Sequence, residues 1–202
     1  MNTRTDPMPL RDTGDKYMEA VRSRIEYKMR DYADYKFTPP QSSAINIFFD
    51  LAQEFDTIPQ LHVLSVLILR MFFQYQTELY LKDEQTELAL VTPPVPGGLS
   101  RPPQLRPEVW TDAGRYYFPV RGRSALVLTN TQRILPNENI IGVLVLYMDG
   151  PLASHDLLFL KKFANRLGFC LHNKILAERN SRHILFLRKL AHDIGHNIIT
   201  PN

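Results

Sequence analysis

Helical periodicity dominates the first third of the chain. In 15–36 (DKYMEAVRSRIEYKMRDYADYK), Met18, Val21, Ile25, Met29 and Tyr32 recur at steps of three and four, the spacing of one helix face. That stripe is narrow, so the helix is expected to need a partner. Thr38-Pro39-Pro40 is expected to end it, and Ser42-Ser43 to cap a second helix over about 44–55, with Ile47, Phe48, Leu51 and Phe55 on one side. Pro59 opens a third, about 59–73. The period then changes. Gln74 to Leu81 alternates and is rich in aromatic and β-branched residues, Lys82 to Gln85 reads as a turn, and Thr86 to Val91 as a second strand. Residues 93–107 hold six prolines and the pair Gly97-Gly98, which predicts a long irregular loop of the kind that carries function or moves.

Tyr116 to Val120 and Ser124 to Thr129 read as further strands, separated by Arg121-Gly122-Arg123, with a turn at Pro136 to Asn139. Ile140 to Tyr147 (IIGVLVLY) is continuously apolar, as a central strand covered on both faces would be. Ser154 then looks like the cap of a long helix, about 155–180, whose buried stripe is Leu157, Leu160, Ala164, Leu167, Leu171 and Ile175. After a polar stretch, 178–183, the residues Ile184, Leu187, Ala191, Ile194 and Ile198 form a short heptad seam that suggests pairing between helices.

This order predicts an α+β fold with a central antiparallel sheet and helices packed together on one face. The expected organisation is a disordered 1–14, a helix and proline linker at 15–40, one domain at 41–180, and the start of a further helical element at 181–202. Composition narrows the class. With 202 residues and 44% apolar content, the chain has enough for one core and a helical appendage. The net charge of +3 comes from interspersed acids and bases, so a nucleic-acid partner is not expected. One cysteine, Cys170, excludes an intrachain disulfide and favours a reducing compartment. The polar N-terminus lacks a signal-peptide core, and Leu61 to Phe73, broken by Ser65 and Arg70, falls short of the roughly 20 apolar residues that span a bilayer. A cytoplasmic protein with no membrane span is expected.

Two stretches carry a family likeness. Residues 47–73 (IFFDLAQEFDTIPQLHVLSVLILRMFF) resemble the paired N-terminal helices of a GAF domain. Residues 140–176 (IIGVLVLYMDGPLASHDLLFLKKFANRLGFCLHNKIL) resemble its last strand and exit helix. The likeness covers about 44–180, leaves the proline-rich middle poorly matched, and implies a GAF-like fold, with PAS-like domains as its relatives. Gly142 would suit a tightly packed strand, and Asp156 sits in the first helical turn, where the dipole favours it. GAF domains as a class bind small molecules or dimerise, so the fold alone does not give a function.

The last residues, RHILFLRKLAHDIGHNIITPN, resemble the histidine box of a sensor histidine kinase, whose usual form is His-acidic-x-x-Thr/Asn-Pro. The resemblance implies an exposed imidazole that attacks the γ-phosphorus of ATP, a neighbour that accepts the other ring proton, and a proline that bends the helix just beyond. Two registers compete. From His196, Thr200 stands four on and Pro201 five on, but Asn197 replaces the acidic neighbour. From His192, Asp193 supplies the acid, but no proline follows in register. His196 is the favoured acceptor because Thr200 and Pro201 both fit, with His192 and Asp193 as the alternative.

Other readings stay open. The string His192-Asp193-Ile194-Gly195 also resembles HD-type metal phosphohydrolases, although His196 stands where they carry lysine and no helical bundle with an earlier ligand histidine precedes it. The terminal histidines could instead be incidental to a non-catalytic ligand-binding or dimerisation module. Their four-residue spacing could hold a metal, but no third ligand presents itself, and none is expected. His62, His155, His172 and His183 read as ordinary surface or boundary residues. No glycine-rich nucleotide lid or asparagine-rich ATP motif occurs, so the chain is expected to be inactive alone and to be part of a longer kinase or a substrate in trans. The kinase resemblance implies ATP for the full-length enzyme, a homodimer, and a response regulator to receive the phosphate. No cofactor is expected in this chain. The cyclic-nucleotide signature of some GAF domains is missing, and Cys170 lies on the exit helix, where a small apolar role fits better than bilin attachment. Tyr75, Tyr80, Trp110, Tyr116 and Tyr117 read as core more readily than as pocket lining.

Overall fold

The computed structural model describes residues 10–33, 35–83, 85–122 and 140–199. The chain divides at Thr38 and Pro39 into two units. The first contains helix α1 (Leu10–Ala33), which begins five residues before the expected Asp15. Extending an existing helix adds one hydrogen bond per residue, and Gly14 within it costs only about 1 kcal/mol. Its stripe is open: Met18, Val21, Ile25 and Met29 are each more than half exposed.

The second unit starts with α2 (Pro39–Glu54) and α3 (Ile58–Phe73). Pro39 and Pro40 fill the first turn of α2, where a missing N–H breaks no intrahelical bond. The prolines expected to close one helix therefore open the next, and Ser42 and Ser43 lie inside α2 and do not cap it. Thr57 caps α3, with its hydroxyl and backbone paired reciprocally to Gln60 in a capping box. Gln74, at φ 58°, closes α3 in the left-handed region.

Five strands follow: β1 (Gln76–Lys82), β2 (Leu88–Leu90), β3 (Trp110–Asp112), β4 (Arg115–Arg121) and β5 (Ile140–Tyr147). They form one sheet in the order β2-β1-β5-β4-β3, and every neighbouring pair is antiparallel. The expected α+β class, with a central antiparallel sheet and a long C-terminal helix, is the class found. β5 is central, as its unbroken apolar run demands. β3 was not anticipated. Ala113 and Gly114, at φ 47° and 74°, join it to β4 in a two-residue hairpin of primed type. Alanine at the first of those positions hides the usual turn signal. The strand expected at 124–129 and the turn at 136–139 lie outside the described residues.

One sheet face carries Leu79, Leu81, Phe118, Val120, Leu144 and Leu146, all buried and packed under helices α3 and α4. Aromatic rings bind the helices to one another: Phe48 lies 5.0 Å from Phe163, Phe73 5.1 Å from Phe159, and Phe73 5.4 Å from Tyr75. Gly142 lets β5 approach β1, since a Cβ there would stand 2.2 Å from the Tyr80 carbonyl.

Helix α4 (Ser154–Ile199) is continuous over 46 residues, straight through the polar stretch. Ser154 is its first residue and not its cap, because the Leu157 N–H already bonds the Ala153 carbonyl. Asp156 lies in the first turn and accepts from Gln41 Nε2 at 2.8 Å, tying α2 to α4. Phe159, Leu160, Phe163, Ala164, Leu167 and Leu171 are buried. From Leu176 to His192 every side chain is exposed.

Candidate functional sites

The expected phospho-acceptor region lies in the last turns of α4. His192 is exposed there, about 30 Å along the axis from Leu171, the last buried residue of the helix. Asp193, His196 and Asn197 continue the same helix, which puts His196 one turn beyond His192. Thr200 and Pro201 lie outside the described residues. Ile184 and Leu187, the first two seam positions, are 50% and 48% exposed. Leu185, Phe186 and Leu190 are exposed as well, so the apolar surface on this stretch is wider than a two-position seam.

Among the other histidines, His62 differs from expectation. On α3 its side chain is buried, at 9% exposure, and its Nε2 has no hydrogen-bond partner. Burial lowers its pKa from 6.5, so the neutral ring is the favoured form. His155 is mostly exposed and lies 3.3 Å from Asp156. Cys170 is half-buried, and burial raises its thiol pKa, which agrees with an inert packing role. No group of three metal-ligating side chains occurs among the described residues.

A second site lies on the opposite sheet face, and the sequence did not single it out. Strand alternation puts Glu78, Tyr80, Tyr117, Val143, Val145 and Tyr147 on this face. Glu78 is 1% exposed. Its Oε2 accepts from the hydroxyls of Tyr80, at 2.9 Å, and Tyr147. Its Oε1 accepts from the Val95 N–H at 2.9 Å. Burial, and then the neighbouring Glu78, push both phenols well above their ordinary value, so both stay protonated. A buried carboxylate without such donors would be strongly destabilising.

The Val95 donor belongs to segment 91–109, which runs over the face as a strap. Val91 N–H bonds the Leu79 carbonyl at 2.9 Å, and Thr92 Oγ1 accepts from Leu79 N–H at 3.0 Å. Leu99 N–H donates to the Tyr147 hydroxyl at 3.1 Å. Leu99 and Leu105 pack on Tyr80, Tyr117, Val143 and Val145. Trp110 stacks on Tyr117 at 3.6 Å, and Arg106 lies 4.4 Å above the indole. The prolines make this economical: they remove N–H groups that would otherwise need partners and restrict the unfolded strap. Tyr80, Trp110 and Tyr117 therefore do share one face, while Tyr116 belongs to the other and accepts from Leu152 N–H at 2.9 Å. The one available clue to Glu78 was an acid in alternation with Tyr80 inside a strand.

No protein-family model matches the chain, and no curated protein matches it. Among solved structures it is similar to the GAF domain of a putative sensor histidine kinase from Pseudomonas syringae pv. tomato, at 16% identity and a TM-score of 0.47, over 70% of this chain and 94% of that one. No described helix is long and apolar enough to cross a membrane.

Proposed function

We propose that this chain is the sensory and dimerisation region of a cytoplasmic two-component sensor histidine kinase, with His196 as phospho-acceptor. The observation that supports this reading is helix α4. One unbroken helix packs its first half into the domain core, is exposed from Leu176 to His192, and continues through His196. A rigid rod of that kind transmits displacement of its packed half to its far end.

In this reading the chain forms a parallel homodimer in which α1 pairs with its counterpart and the apolar surface at Ile184 and Leu187 meets that of the partner. ATP is supplied by a nucleotide-binding domain elsewhere in the full-length protein, and a response regulator takes the phosphate. Nucleophilic attack needs a ring nitrogen that carries no proton. Asn197 can hydrogen-bond the opposite ring N–H but cannot take its proton, so slow autophosphorylation is expected unless Asp193 substitutes.

The test replaces His192 and His196 separately by glutamine in the full-length protein supplied with labelled ATP. Acid-labile label is expected to vanish with His196→Gln and persist with His192→Gln. The reverse pattern assigns His192. Label that survives in the double variant removes the kinase reading of this helix and leaves a non-catalytic module.

A further inference from the structure

The Arg121-Gly122 pair ends β4 in an unusual place. A register shift between Val120 and Arg121 breaks the β4–β5 ladder, and Arg121 stands opposite Ile140. Its guanidinium Nη2 donates to the Pro107 carbonyl, near the far end of the strap. Its backbone meanwhile lies directly against α4. A Cβ on Gly168 would come within 2.1 Å of the Arg121 carbonyl oxygen and 2.8 Å of its nitrogen. One turn along, a Cβ on Gly122 would come within 2.8 Å of His172 Nδ1. At Gly168 backbone therefore sits on backbone, with no side chain between them to absorb movement, and at Gly122 the backbone rests on the His172 ring. Arg121 is the residue that holds the strap with its side chain and seats α4 with its main chain. The other end of the strap is latched by Glu78 through Val95 N–H, where Gly98 lies so close that a Cβ would stand 2.4 Å from Glu78 Oε1.

We infer that segment 91–109 is a releasable strap whose seating on the sheet is read by α4 through Arg121. Release at the Glu78–Tyr147 latch frees Pro107 to move, Arg121 follows its acceptor, and the Gly168–His172 turn of α4 loses its seat. The inference deepens the signalling role proposed for α4, but it concerns coupling within this chain and stands or falls without any phosphotransfer.

The protein carries one probe at each end of the relay. Trp110, its single tryptophan, lies beside the strap under Arg106. Cys170, its single cysteine, lies on α4 between Gly168 and His172 and is half-buried. The wedge variant Gly98→Val pushes the strap off the buried Glu78 carboxylate, and Tyr147→Phe removes the acceptor of Leu99 N–H. A circular-dichroism melt verifies that each folds. In either variant Trp110 emission is expected to shift to the red, and Cys170 alkylation by N-ethylmaleimide to rise about threefold or more as local opening becomes easier. With Arg121→Leu added, the emission shift is expected to remain, and the wedge should no longer change the alkylation rate. A Trp110 shift without a Cys170 response in the parent background overturns the coupling. An equal Cys170 response with and without Arg121 overturns the route. Failure of Trp110 to respond in both latch variants overturns the strap.

Discussion

His62 and Thr77 are polar residues that the fold buries without hydrogen-bond partners for His62 Nε2 and Thr77 Oγ1. Each leads to a distinct expectation. Because burial lowers the folded pKa of His62 from 6.5, the unfolded chain takes up a proton more readily below that value. Stability contributed by the neutral ring is present above pH 6.5 and is lost as pH falls toward the lowered folded value. Urea midpoints of the wild-type protein should therefore drop between about pH 7.5 and pH 5. His62→Leu should flatten that part of the profile while leaving the rest unchanged. For Thr77, at 1% exposure, the isosteric Thr77→Val removes an unpaired hydroxyl and should raise stability by about 1 kcal/mol. The phenols of Tyr80 and Tyr147 act at the other end of the scale. Their raised folded pKa means that stability falls as pH rises past the ordinary phenol range, and Tyr147→Phe should soften that alkaline loss.

At the scale of elements, the seat of α4 on β4 gives the sharpest expectation. In an open helix, exchanging glycine for alanine stabilises by about 1 kcal/mol. At Gly168 the added methyl would meet the backbone of Arg121, which cannot rotate away, so Gly168→Ala should instead cost about 1–3 kcal/mol in denaturant unfolding. A neutral or stabilising result would mean that the contact between β4 and α4 is looser than described. Most elements were legible from periodicity: α3, β1, β5 and the buried half of α4 follow their stripes closely. Of the two three-residue strands, β2 falls inside the expected 86–91 and β3 was missed. β3 has three residues, and its existence depends on pairing with β4 across Ala113-Gly114, which no local preference requires.

Across the whole molecule, exposed apolar side chains collect on the distal half of α4 and, in the other unit, on α1. Sedimentation of the chain at tens of micromolar should show a dimer. Ile184→Glu combined with Leu187→Glu puts like charges at the seam and should raise the dissociation constant about tenfold or more. A chain that remains dimeric in that variant does not associate through this part of α4.

By itself the sequence determined the class of the fold, the central position of β5 and the reach of α4 to the histidines, because those follow from local periodicity and from the exclusion of backbone polar groups from an apolar run. Its reading of His62 as a surface or boundary residue went astray, and the long irregular loop it expected at 93–107, although found, gave no sign of what it covers, for a common reason. Whether a polar or irregular residue is buried depends on what another part of the chain lays over it. Only the tertiary structure decided that Glu78 would be covered, that Val95 and Tyr147 would satisfy it, and that Arg121 would join the strap to α4. Those are contacts between residues 14 to 69 positions apart, and no spacing rule along one chain encodes them.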